Sequence, residues 1–223
     1  MIALLAALAA ATPSDRLYDT IMTSGCYAQR SPDGDMVREL LRIEQRAGFT
    51  GPARGLLVAA ACNESGLTSH ALGDWVNPMT GKRCRNGAAG CIPKSYGLLQ
   101  FQGWAKRKIR AYATNPKIKD PRFDWRASAE FWTRHVVKQI PRVRAECGYT
   151  DERDVWRAAH RTAVTAPKCG RWKARRGRQV CVQWIPRCHK IGRDYRSRHW
   201  KILHEWQAIA SKRYPTPRTA STH

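Results

Sequence analysis

Residues 56–66 read Leu-Leu-Val-Ala-Ala-Ala-Cys-Asn-Glu-Ser-Gly. An uncharged apolar run through Cys62 is followed by one carboxylate, Glu64. A run without a polar face predicts a short helix buried on every side, and Ala59, Ala60 and Ala61 predict close neighbours. Gly66 suits the left-handed residue that ends such a helix. Glu64 then stands at the helix C-terminus, where burial and the negative end of the helix dipole both disfavour an ionised side chain. A carboxylic acid held protonated near neutral pH is a general acid, the group that glycosidic bond cleavage requires. The bland alternative is an exposed Glu in a helix cap.

A second stretch, Ser95-Tyr96-Gly97-Leu98-Leu99-Gln100-Phe101, follows downstream. A helix ending Glu-Ser-Gly with a later Ser-x-Gly-Leu-x-Gln resembles the catalytic domain of soluble lytic transglycosylases and goose-type lysozymes. The resemblance implies a mainly α, lysozyme-like α+β fold, a helical bundle around the buried catalytic helix with a small loop or β element. It implies Glu64 as the catalytic acid/base and places Ser95, Gly97 and Gln100 near the glycan. The implied activity is cleavage of the β-1,4 bond of peptidoglycan glycan strands, by one-Glu transglycosylation or, alternatively, by hydrolysis with the same Glu. The chain departs from the family in two places. Residues 74–94, with Cys84 and Cys91, read as an inserted loop. The family's later Ala-Tyr-Asn-like segment has no clean counterpart, and Arg157-Ala158-Ala159-His160-Arg161-Thr162 is the nearest by position.

Hydrolysis by the inverting or retaining route uses two carboxylates. Asp74 is the only acid between the two motifs and is the candidate second carboxylate, although Gly73-Asp74 is also turn chemistry. Aromatic rings able to stack on sugars are Trp75, Tyr96, Phe101 and Trp104. Tyr96, inside the motif, ranks first, and Phe101 and Trp104 suit core packing at a helix start. His70 is left unassigned. The pattern requires no cofactor and no metal.

The chain has 223 residues and a net charge of +23. Residues 1–80 carry six Lys/Arg and eight Asp/Glu, and the remainder carries 34 and nine. That asymmetry predicts attraction to polyanions such as anionic cell-wall polymers. Arginines and lysines from residue 168 onward are interleaved with Trp172, Trp184 and Trp200, a pattern nucleic-acid binders share. No nucleic-acid motif accompanies it, so specific nucleic-acid binding is not expected. The rival from another class is a non-catalytic, cationic wall- or nucleic-acid-binding module. Eight Cys in an oxidising compartment predict disulfides. The local candidates are Cys84 with Cys91 and Cys181 with Cys188. Zinc, the competing reading, lacks the usual short Cys spacing.

Residues 1–11 are apolar, too few to span a bilayer, and read as an atypical signal peptide without a basic start. Export to the periplasm or exterior follows, with no transmembrane segment and a monomeric chain. Residues 12–34 read as an irregular arm tied down by Cys26, and residues 35–165 as the catalytic domain. Within it, Met36, Leu40, Ile43 and Ala47 mark an amphipathic helix. Helices are also expected over residues 100–113, 125–140 and 151–165, with Pro141 kinking or stopping the second of these. Residues 166–190 read as a basic Cys-rich loop or ribbon, residues 191–214 as a C-terminal helix packed on the domain, and residues 215–223 as a disordered tail.

Overall fold

A computed structural model describes residues 12–26, 32–164, 168–175, 178–185, 188 and 198–214. The expected signal peptide and C-terminal tail lie outside the described residues. The described chain is mainly helical. None of its helices is long and apolar enough to cross a membrane.

The apolar run forms helix α3, Leu56–Ser65, in which every residue from Leu56 to Cys62 is buried. It ends as expected at Gly66, whose φ of 62° is left-handed. The Gly66 and Leu67 amides turn back to the carbonyls of Cys62 and Ala61 at 3.0 and 3.3 Å and satisfy the last turn. A helix with no polar face must be wrapped, and two others lie directly on it. Helix α2, Gly34–Arg46, packs its Met36, Leu40 and Ile43 side against α3 and against α5, Trp125–Val137. Helix α8, Arg198–Arg213, lies along α3 and brings Trp200, Ile202, Leu203 and Trp206 into the core. Helix α7, Glu152–Val164, packs on α5 and on α6, Ile140–Cys147.

Helix α1, Pro13–Ser24, corrects the expectation of an irregular arm. Pro13 is tolerated in the first helical turn, where its missing N–H would have no partner. Thr12 and Asp15 form a reciprocal capping box, with the Asp15 amide on Thr12 Oγ1 at 3.2 Å and the Thr12 amide on Asp15 Oδ2 at 3.0 Å. The helix packs on α8, and Cys26 just beyond it is bonded to Cys62 of α3, with Cα atoms 5.5 Å apart.

Two other elements differ from the expected ones. Residues 100–113 hold only a short α4, Lys106–Arg110, after a 3-10 turn. The Phe101 amide and carbonyl are spent on a β-bridge with Tyr96, at 2.9 and 3.1 Å, so no helix can start at residue 100. Pro141 opens α6 rather than merely closing α5. The basic ribbon is a two-stranded antiparallel hairpin, β3 Lys168–Arg175 with β4 Arg178–Ile185. The small β element is β1 Leu72–Gly73 paired with β2 Ser95–Tyr96.

The Cys84–Cys91 bridge forms as expected and closes the loop between β1 and β2. The Cys181–Cys188 pairing does not form. Cys188 is bonded to Cys147 at the end of α6, with Cα atoms 5.3 Å apart. Cys181 is itself disulfide-bonded. Strand β4 carries the chain about 13 Å from Cys181 by Ile185, at roughly 3.3 Å per residue, away from where a local loop would close.

The N-terminus of α3 is capped from a distance. Gly55, with φ 89°, has no side chain to offer, and the buried Glu44 of α2 accepts from the Gly55 and Leu57 amides at 2.7 and 2.5 Å. Complete burial pushes the Glu44 carboxyl up to about 8, against the pull of the two amide donors and Arg54. The folded chain thus holds this proton to about pH 8, while an unfolded chain releases it near 4.5. The contribution of Glu44 is full below pH 4.5 and is lost as pH rises through 8. The opposing effect of His160, which burial holds well below its ordinary 6.5, belongs to lower pH. Glu44→Gln should lose one acceptor, destabilise the fold by about 1–3 kcal/mol, and flatten the decline in urea midpoint between pH 7 and 8. A variant with wild-type stability and wild-type pH slope would contradict this assignment.

Candidate active-site cleft

A cleft of about 810 Å³ opens where the C-terminal end of α3 meets α5, α7 and α8. Ala60 and Glu64 of α3 line it, together with Gln100, Trp104 and Lys108, His160 of α7 and His199 of α8. Among the described residues that line it, Glu64 is the only acid, against Lys108 and Arg142.

Glu64 is at the predicted end of the helix but is not buried. Its side chain is 36% exposed, because the core ends at Cys62 and the turn at Gly66 brings the helix terminus to the surface. Its Oε1 accepts from His199 Nε2 at 2.9 Å and from Asn63 Nδ2 at 3.1 Å. His199 stands in the first turn of α8 and meets the His160 ring edge-on, 5.3 Å between centroids. His160 is buried between His199 and Trp132, the latter at 5.4 Å. Desolvation, reinforced by His199 and Arg161, keeps the His160 ring uncharged at neutral pH.

The Ser-x-Gly-Leu-x-Gln stretch is a latch as much as a lining. Ser95 is buried, and its Oγ donates to Gln100 Oε1 at 2.8 Å. Gln100 Nε2 donates to the carbonyls of Gly97 and Ala71 at 2.9 and 3.2 Å. Gln100, at φ 49°, also lines the cleft with Glu64. Ser95, Tyr96 and Gly97 are not among the lining residues. The Tyr96 hydroxyl donates to the Pro93 carbonyl at 2.7 Å, and its ring lies under the Arg122 guanidinium at 3.7 Å. Arg122 is in turn paired with Asp120 at 2.6 Å, which holds the Asp120 carboxyl down at about 2.

Asp74 lies at φ 48° in the turn after β1, 45% exposed, with Arg83 at 4.0 Å. It is outside the lining, as is Trp75. His70 packs edge-on against Phe123 at 5.6 Å. Trp104 is the aromatic that the cleft presents: it is 51% exposed and carries Lys108 Nζ 5.1 Å from its ring centroid. Phe101 is buried, in keeping with core packing, yet also lines the cleft. The segment nearest by position to the family's third motif does reach the cleft, through His160 and Thr162.

Sequence reasoning did not single out His199, His135 or Trp132, which share the cleft with Glu64, and named His160 only within the segment nearest the third motif. His135 stacks on Phe131 at 5.4 Å, and burial, with Lys108 and Lys138 nearby, moves its ring below the ordinary value. The available signal was a helical one. His160 sits on the buried side of α7 with Val155, Trp156 and Ala159, and His199 precedes the buried Trp200.

Comparison with protein-family models, with curated proteins and with solved structures gives no match.

The latch depends on Gly97. Its φ is 78°, and a Cβ there would lie 1.9 Å from the Arg122 carbonyl oxygen, which is backbone and cannot step aside. Gly97→Ala should cost about 2–4 kcal/mol from left-handed strain and overpacking together, read as a lower urea midpoint at unchanged slope. A midpoint within experimental error of wild type would show that the loop relaxes around the methyl group.

Proposed function

We propose that this chain cleaves the β-1,4 glycosidic bond of peptidoglycan glycan strands by lytic transglycosylation, with Glu64 as both acid and base. The observation that carries the reading is that Glu64, at the end of a buried helix, is the one carboxylate among the described residues lining an open cleft that Gln100 of the second motif also lines. The placement of Asp74 supports the one-carboxylate route over one needing two acids.

The chemistry follows from one exposed carboxyl. Glu64 in its acid form gives its proton to the leaving glycosidic oxygen as the C1–O bond breaks. The carboxylate so formed takes the proton of the C6 hydroxyl of the same sugar as that oxygen attacks C1. The product ring is an internal anhydro sugar, and Glu64 regains its proton without a water being consumed. Trp104 offers a face on which a sugar ring can stack, and Lys108 and Arg142 favour a glycan bearing carboxylates. The Arg142 guanidinium also pairs with Glu146 at 2.9 Å, which fixes it at the rim.

The disulfides fit export to an oxidising compartment. The exposed Arg171 and Lys173 on β3 fit retention on an anionic wall.

Glu64→Gln keeps the side-chain shape and an acceptor for His199 and Asn63. It should fold as wild type and release soluble fragments from purified walls about 10²–10⁴-fold more slowly, the usual worth of a general acid–base. Near wild-type release by a folded variant would remove Glu64 from the catalytic role.

A further inference from the structure

We propose that His199 and Asn63 are positioning residues that occupy one oxygen of Glu64 and thereby reserve the other, Oε2, to carry the reacting proton. The inference rests on the reading of Glu64 as the acid/base and adds which oxygen reacts and what holds it.

Two donors converge on Oε1, His199 Nε2 at 2.9 Å and Asn63 Nδ2 at 3.1 Å. The two nitrogens also lie within hydrogen-bond reach of each other, at 3.2 Å, so the His199 tautomer decides whether Nε2 donates to Glu64 or accepts from Asn63. The other ring nitrogen, His199 Nδ1, is buried with no partner among the described residues. A buried bare lone pair costs less than a buried N–H with nowhere to donate, since leaving a donor unmet forfeits its full hydration. The bonding pattern therefore assigns the ring proton to Nε2, the nitrogen that faces Glu64. No described residue bonds Oε2.

In the acid form of Glu64, the carbonyl oxygen accepts hydrogen bonds and the hydroxyl oxygen donates one. Two fixed donors on Oε1 select it as the carbonyl oxygen and leave the hydroxyl at Oε2. When Oε2 gives up its proton, negative charge develops on both oxygens, and the N–H donors on Oε1 are already in place to meet it. Cys62, next to Asn63, is bonded to Cys26, and α8 is packed along α3. The two donors thus come from elements that are fixed to each other. The titratable groups that share the cleft with Glu64 are His199 from α8, His160 from α7, His135 from α5, Lys108 from α4 and Arg142 from α6.

The test compares His199→Phe, which keeps a ring but has no donor, with His199→Gln, whose amide N–H can reach the place of Nε2. On purified walls, H199F should lose about tenfold in kcat with KM unchanged, and H199Q should recover part of that loss. The pH–rate limb set by Glu64 should move to higher pH in H199F, because a donor that favours the carboxylate has been removed. Carbon-13 NMR of the labelled Glu64 carboxyl should show the same displacement, and this readout does not depend on catalysis. A merely structural role for His199 would lower stability and rate without moving either titration. Unmoved titrations in folded H199F would overturn the proposal. Activity in E64Q would instead defeat the catalytic reading of Glu64 and leave the NMR comparison to judge the contact alone.

Discussion

Helix α3 has no side that can face water, and that constraint organises what surrounds it. Leu56 to Cys62 are buried around the whole circumference, so α2 and α8 must lie directly on it. Ala59, Ala60 and Ala61 let those neighbours come close. A helix enclosed this way can meet polar groups only at its ends, and both ends carry a glutamate. At the N-terminus the buried Glu44 accepts two orphan amides that Gly55 cannot cap itself. At the C-terminus Gly66 turns the chain to the surface and leaves Glu64 in the cleft. One carboxyl supports the fold from inside the core, and the other is available for chemistry because the core stops short of it.

The cleft is held by cross-links of different kinds. The Cys26–Cys62 bridge ties α3 to the segment after α1, and α1 packs on α8. Helix α8 therefore cannot drift from α3 without disturbing both, and His199 keeps its contact with Glu64. On the opposite side, Ser95, Gln100 and Gly97 lock the loop after β2 against Ala71 and the Arg122 carbonyl. Glu64, His199 and Gln100 are thus carried by elements whose positions are fixed elsewhere, the general condition for a preorganised site.

What could be read in the sequence was local. The unbroken apolar run announced α3, its Gly66 stop and the place of Glu64. The short Cys84–Cys91 spacing, rich in turn residues, announced its own bridge. The Ser-x-Gly-Leu-x-Gln stretch, expected near the glycan, turns its hydrogen bonds inward at Ser95 and Gln100 and leaves only part of itself for the cleft. What escaped was set by packing between distant segments. Cys188 pairs with Cys147 because the β3–β4 hairpin returns to the end of α6, which no local spacing encodes. Glu44 does lie four residues after Leu40 on the apolar stripe of α2, and a charge in that stripe was a legible sign of a buried cap. His199 reaches Glu64 only because α8 folds back across α3, and its meaning exists only in three dimensions. The burial expected for Glu64 failed for a simple reason: a left-handed stop ends the helix at the surface, so the enclosure of its first two turns does not extend to its last.

In the proposed reaction one carboxylate, held by donors on one oxygen and open on the other, breaks a glycosidic bond without a second acid. Mass spectrometry of the fragments released from purified peptidoglycan reads this out, because the two half-reactions of Glu64 leave a chemical signature. The one-carboxylate route gives muropeptides ending in an anhydro sugar, lighter by one water than their reducing counterparts. Reducing-end muropeptides would contradict the single-carboxylate route and point to hydrolysis, and an intact wall carrying bound protein would contradict cleavage itself.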